Sequence, residues 1–219
     1  ERAALSSATR VIVATDDARI ANACRGVNLD VAMTRADHST GTDRLSEVVT
    51  ALGLDDRTIV VNVQGDEPNI PPSAIDAVAA MLDADPTAAM ATLCHPIHDI
   101  ADVTNPNVVK CIVGEGGNAL YFSRAPVPFA RDAWAAGMSA IPQGLPVYRH
   151  IGLYAYRASF LRAFPNLSVP AIERHEALEQ LRALAHGYRV RVAVVNDPLP
   201  PGIDTPEDYA RLLALHDAN

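Results

Sequence analysis

Lysine is almost missing from this chain. Lys110 is the only one among 219 residues, and no Lys/Arg cluster appears anywhere. The formal net charge is −8 and the pI is about 5.3. Such a surface repels a polyphosphate backbone, which argues against nucleic acid as a partner. A single small anion is still admitted, because a local group of Arg and His can hold it. Cysteine is scarce too: Cys24, Cys94 and Cys111 are far apart, odd in number and outside metal-ligand spacing. They predict buried, reduced thiols of a cytoplasmic protein. No apolar run approaches the roughly 18 residues of a membrane span, and no secretory leader precedes the first structured segment. A cytoplasmic protein with no membrane partner is therefore expected, although a chain opening on Glu1 leaves room for an upstream segment. GxGxxG, Walker A, HExxH and Ser-elbow motifs are all absent. His95, His98 and His186 show no ligand spacing, and His175–Glu176 is not part of HExxH.

What is present is material for a core. Apolar residues make up 49% and charged residues 20%, which suits one α/β domain with an attached lobe. Residues 2–8 read as the end of a helix, Val11–Ala14 as a buried strand ending at Thr15, Asp16 and Asp17, and residues 18–24 as a short helix. A strand at Leu29–Met33, a polar loop, a helix over Leu45–Leu52 and a strand over 59–63 follow. Pro71, Pro72 and Ser73 start another helix, with Ile75, Val78, Ala79 and Leu82 at helical spacing, and residues 88–94 read as a strand. This βαβαβ pattern predicts an α/β fold with a doubly wound, mostly parallel sheet and right-handed crossovers.

The second half changes style. Val108–Val113 and Ala119–Phe122 flank a Gly-rich turn and read as a hairpin. Residues 126–146, rich in Pro and Gly, predict an irregular, mobile loop. Ile151–Tyr156 and Val190–Val195 read as strands; Ile172–Ala185 and Pro206–Leu215 read as helices. The pattern predicts a nucleotide-binding sheet with an antiparallel insertion that covers a substrate.

Ile59–Pro68, IVVNVQGDEP, is the most informative stretch. An apolar run without alternation predicts a strand buried on both faces, and ligands of open α/β sheets bind beyond the carboxyl ends of such strands. Gln64, Gly65, Asp66 and Glu67 fall there. A tight turn needs the glycine, but it does not need Gln and two acids, and a carboxylate in that place can hold Mg²⁺. Residues 34–44, TRADHSTGTDR, form a second polar loop before a helix. It suits a base, ribose or phosphate, with N-capping by Thr42 as the plainer reading. GIDTPED (202–208) reads first as a helix start, capped by Asp204 or Thr205 with Pro206 at the first position. Arg149, His150 and Arg124 sit at strand ends, where a guanidinium can grip a carboxylate and the neighbouring His150 imidazole can donate it a second hydrogen bond. Leu178, Leu181 and Leu184 mark a buried helix side, which predicts Glu179 and Gln180 on a solvated face.

HSTGTDR (38–44), NVQGDEP (62–68), ALYFSRAPVP (119–128), RHIGLYAYR (149–157), LEQLRAL (178–184) and GIDTPED (202–208) resemble, in order, segments of the 3-deoxy-manno-octulosonate (Kdo) cytidylyltransferase family. The resemblance covers essentially the whole chain. It implies a nucleotide-diphospho-sugar transferase-like fold with an antiparallel substrate and dimerisation insertion. On this view residues 1–219 form a single nucleotidyltransferase domain, with about 119–160 and 165–187 as the sugar-binding and dimerisation lobe. The implied reaction joins CTP and Kdo into CMP-Kdo with release of pyrophosphate, for lipopolysaccharide assembly by a Mg²⁺-dependent cytoplasmic homodimer. Ser39, Gly41, Thr42 and Arg44 would line the nucleotide side. Gln64 would act at the reacting groups, and Asp66 and Asp204 would be catalytic metal ligands. Arg124, Arg149, His150, Tyr154 and Gln180 would face the acid sugar. Thr40 stands where the family often has serine. The family also opens with a strand and a loop of the type Arg-x-x-Ser-x-Arg-Leu-Pro-Gly-Lys, which has no counterpart here. That strand would lie in the middle of the sheet, so its lack predicts an unpaired interior edge. Transfer to another acid sugar, or binding without turnover, are the alternatives.

Overall fold

The computed structural model describes residues 2–196, 199–200, 202–203 and 205–217. Strands and helices alternate first as β1 (Ile12–Thr15), α1 (Ala18–Gly26), β2 (Asp30–Met33) and α2 (Gly41–Ala51). β3 (Ile59–Asn62), α3 (Pro72–Ala84), β4 (Met90–Pro96) and α4 (Ile100–Thr104) follow. Then come β5 (Lys110–Val113), β6 (Ala119–Ser123), a long β7 (Tyr148–Arg157) and α5 (Ala158–Ala163). α6 (Ala171–Glu176), α7 (Gln180–Ala185), β8 (Val190–Val194) and α8 (Pro206–Asp217) close the chain.

The expected α/β class holds. β1 pairs parallel with β2, and β4 pairs parallel with β8. β7 runs antiparallel between β3 and β4, so β3, β4 and β8 all point the same way. β5 and β6 form the expected antiparallel hairpin, which joins β7 through β5. Gly117 makes its turn with φ +69°, a backbone state that an L side chain adopts at a cost.

Alternate residues of β4 and β7 face two cores. Ala91, Leu93, Leu153 and Ala155 pack beneath α3, whose Ile75, Val78 and Leu82 recur at helical spacing. Met90, Cys94, Tyr154 and Tyr156 pack on the other side against Phe160, Leu161, Leu181 and Val49. Cys94 and Cys111 are buried free thiols, as expected, whereas the free thiol of Cys24 is only partly buried. Full burial of a residue such as Leu82 or Leu93 contributes about 1.5–3 kcal/mol.

Several readings are corrected. The N-terminal helix is only a 3₁₀ turn, Ala3–Leu5, tied to α3 through Ser7 and Asp76. β1 and β3 are less buried than expected: Ile12, Val13, Ala14 and Ile59–Asn62 are all half-exposed, although Ile59 and Val61 pack on the core beneath α3 and Val60 on the opposite core. Among the described residues each of these strands pairs with one other strand, β2 or β7, on one edge only. Residues 126–146 lack regular structure but carry their own core. Trp134 is buried among Ile97, Val103, Val108 and Val147, and its Nε1–H donates to the Ala140 carbonyl at 2.8 Å. The helix expected over 172–185 breaks at Ala177, which adopts φ 50°. The break folds α7 back so that Arg182 meets Glu173 in a buried, two-bonded ion pair.

Candidate functional site

The polar residues gather where the strands end. At the carboxyl end of β1, Asp17 caps α1, accepting from Arg19 N–H at 2.7 Å. Asp16 receives Arg44 Nη2 at 3.3 Å, and this hydrogen bond is the main cause that holds its carboxyl below the usual range. Arg44 also donates to Thr34 Oγ1 at 2.6 Å, so it braces the ends of β1 and β2. The cap of α2 is Thr40, whose Oγ1 accepts from Asp43 N–H at 3.1 Å. That displaces the N-cap reading of Thr42, which is 1% exposed and donates to Glu179 Oε1 at 2.5 Å. Gly41 and Ser39 are exposed. Ser39 borders an open cavity of about 480 Å³ between Arg35, His38 and the outer face of α2, which none of the other assigned residues line. His38, in the loop before α2, bonds to Glu47 of α2 and holds the Glu47 carboxyl below its ordinary range.

At the end of β3, Gln64 donates to the Gly152 carbonyl at 3.3 Å. Gly152 belongs to a two-residue bulge: Thr92 pairs with Tyr154 and Leu93 with Ile151, so the register skips Gly152 and Leu153 on β7. Asp66 is exposed, and its carboxylate makes no hydrogen bond or ion pair among the described residues. Its carbonyl accepts from Ile203 N–H at 2.8 Å. A Cβ on Gly202 would meet that carbonyl at 3.1 Å, so glycine permits the approach. Asp204 itself lies outside the described residues, but its neighbour Ile203 is bonded to Asp66. Thr205 caps α8: its Oγ1 accepts from Asp208 N–H at 3.2 Å, and its own N–H donates to Asp208 Oδ2 at 3.0 Å.

β7 begins at the same end of the sheet. Arg149 is exposed, and its side chain makes no ion pair or hydrogen bond among the described residues. His150 packs edge-on to Phe122 at 5.0 Å and lies 5.2 Å from Tyr154 between ring centroids. Burial pushes its imidazole down to about 3, so the ring is neutral at pH 7. Tyr154 is 7% exposed, its hydroxyl is buried without a partner among the described residues, and burial raises its phenol. Arg124 differs from Arg149. It donates to the carbonyls of Glu176 at 2.6 Å, Pro106 at 2.9 Å and Ala177 at 3.4 Å, clamping β6 to the end of α6.

Gln180 is 6% exposed, and one carboxylate oxygen of Glu179 is buried without a partner among the described residues. The solvated face expected for these two residues is therefore wrong. The turn at Ala177 rotates α7 inward, and burial raises the Glu179 carboxyl. Sequence reading also missed Thr92, buried opposite the bulge, because an isolated Thr in an apolar strand carries no motif. The bond from Thr42 to Glu179, 137 positions apart, left no sequence signal either.

Hard carboxylate oxygens at a strand end fit Mg²⁺, which takes one or two protein carboxylates and fills its shell with waters and phosphates. Among the described residues no three potential metal-binding side chains cluster. Asp66, with a carboxylate free of other partners and the chain before Asp204 bonded to it, suits that sparse mode.

In an open α/β sheet, polar groups collected at the carboxyl ends of strands mark where ligands bind. A cytidylyltransferase family model matches residues 1–191. The chain is 55% identical over 215 residues to the 3-deoxy-manno-octulosonate cytidylyltransferase of Pseudomonas fluorescens (strain SBW25). It is 54% identical over 215 residues to that of Pseudomonas syringae pv. syringae (strain B728a). Each match covers 98% of this chain and 85% of the relative. A solved structure of CMP:2-keto-3-deoxy-manno-octonic acid synthetase complexed with CTP superposes with a TM-score of 0.89 at 37% identity, over 99% of this chain and 85% of that one. The chain belongs to the cytidylyltransferase family.

Proposed function

We propose that this protein transfers CMP from CTP to the anomeric hydroxyl of Kdo, giving CMP-Kdo and pyrophosphate. The observation that carries the reading is the convergence at one sheet end. The Asp66 backbone is bonded to the chain beside Asp204, while β7 brings Arg149 and His150 to the same end. Family membership and the 55% identical relative support the choice of CTP and Kdo.

In this reading the hydroxyl attacks the α-phosphorus in line, and pyrophosphate leaves without a covalent enzyme intermediate. Acceleration comes from positioning and charge neutralisation. Asp66 and Asp204 would hold Mg²⁺, which when bound lowers the hydroxyl's pKa and offsets phosphate charge. Gln64, fixed by the Gly152 carbonyl, orients the reacting groups. Ser39, Gly41, Thr42 and Arg44 form the nucleotide side, and Arg149, His150, Tyr154 and Gln180 the sugar side. Arg124 contributes there by holding Glu176 and the turn before α7.

A homodimer and a cytoplasmic role in lipopolysaccharide assembly belong to the same reading. Leu120, Phe129, Val169 and Ile172, all exposed, lie within the segments about 119–160 and 165–187 that this reading gives to the dimerisation lobe. Among the described residues no helix is long and apolar enough to cross a membrane. A pyrophosphate-release assay with CTP, Mg²⁺ and competing acid sugars tests the function. Release with Kdo and not with a sialic acid is expected; the reverse preference refutes the substrate, and CTP binding without release refutes the activity.

A further inference from the structure

Thr92 lies in β4, fully buried, opposite the bulge of β7. Its Oγ1 is 3.0 Å from the Ile151 carbonyl oxygen, 2.9 Å from that of Leu153 and 3.1 Å from Nε2 of His150. A hydroxyl has one proton, and carbonyl oxygens only accept. If the proton went to the imidazole, two carbonyl oxygens would face the Oγ1 lone pairs with no proton between them. The proton therefore belongs to the carbonyls, and the third contact must bring its own hydrogen. His150 Nε2–H donates to Thr92. Because the ring is neutral, Nδ1 is then unprotonated, and it makes no hydrogen bond with any described residue.

From this proton count we infer that Thr92 is a positioning residue: it fixes His150 as the Nε2–H tautomer and leaves Nδ1 to accept from a hydroxyl of the acid sugar. The inference rests on the reading of His150 as part of the sugar side. It separates two roles that the sequence merges. A neutral acceptor does not bind a carboxylate, so that task falls to the unpaired cation of Arg149. The hydroxyl pattern of the sugar falls to His150.

Nitrogen-15 NMR of the histidine rings at pH 7 tests the tautomer directly, with the His150 signals assigned by their loss in His150→Gln. A protonated Nε2 and a bare Nδ1 are expected; a proton on Nδ1 overturns the inference. Thr92→Val removes the acceptor with little change of shape. It should abolish the single-tautomer signature and raise the half-saturating concentration of Kdo about tenfold, with that of CTP nearly unchanged. Thr92→Ser should restore both. A Thr92→Val protein that keeps the signature and the native Kdo value overturns the proposal. If Thr92→Val does not fold, the native spectrum and Thr92→Ser decide. An Nε2–H tautomer with equal rises for CTP and Kdo in His150→Gln sinks the sugar-side reading and the hydroxyl assignment, while control of the tautomer by Thr92 stands.

Discussion

Arg149 and Arg124 end neighbouring parts of the antiparallel insertion, and their sequence settings look alike. Their surroundings do not. Arg149, at the start of β7, is exposed and unpaired among the described residues. Arg124, just past β6, spends its guanidinium on three backbone carbonyls, and its backbone N–H donates to Glu176 Oε2 at 2.8 Å. The same contrast separates Asp66, with an unbonded carboxylate, from Glu173, locked to Arg182. A charge left unpaired at a strand end is available to a ligand. A charge already bonded inside the fold holds its segment in place.

The largest test of this contrast is Asp66→Asn. Turnover should fall about a thousandfold, roughly 4 kcal/mol in the barrier, with the melting temperature almost unchanged. A marked loss of stability instead would move Asp66 among the bonded charges. Next is Arg182→Leu, which strands Glu173 in the core. Breaking such a buried pair costs about 3–5 kcal/mol, read from denaturant unfolding, and Glu173→Leu/Arg182→Leu should recover much of it. No deficit in the single variant would show that the pair is solvated. The two arginines themselves come third, with effects of about 2 kcal/mol in opposite observables. Arg149→Ala should raise the half-saturating Kdo concentration more than that of CTP, at unchanged stability. Arg124→Ala should lower the unfolding midpoint, and swapped outcomes would reverse the comparison. The smallest effect is expected for Asp99→Ala, which removes the cap of α4 at Ala101 N–H, 2.9 Å away. About 1 kcal/mol of stability should be lost, with steady-state constants intact; altered constants would place Asp99 among the functional charges.

Lys110 follows the same logic inside the fold. Its ammonium, fully buried, donates to the carbonyls of Asn105, Val108 and Arg124 at 2.9, 2.5 and 2.7 Å. Burial lowers its pKa, and three acceptors repay part of that desolvation. The chain's only lysine therefore anchors the loop that precedes β5 to the residue after β6. It is not a surface charge.

The legible part of the site was the part written in adjacent residues. QGDEP after an apolar run marked the end of β3, and HSTGTDR marked the entry to α2. Illegible were the partners that the fold alone brings near. Thr42 meets Glu179, Thr92 meets His150, and Ile203 meets Asp66. The half-exposure of β1 and β3 was also hidden from periodicity, since an apolar run reports what a strand prefers to face, and pairing decides what it does face.

By itself the sequence determined the α/β class, the order of most elements and the strand ends at which chemistry gathers. Those follow from local periodicity and turn chemistry, which act over a few residues. Tertiary structure alone decided which charges remain available, how α7 turns inward at Ala177 and which ring nitrogen of His150 holds the proton. Each of these depends on donors and acceptors from distant segments meeting within about 3 Å, the reach of a hydrogen bond.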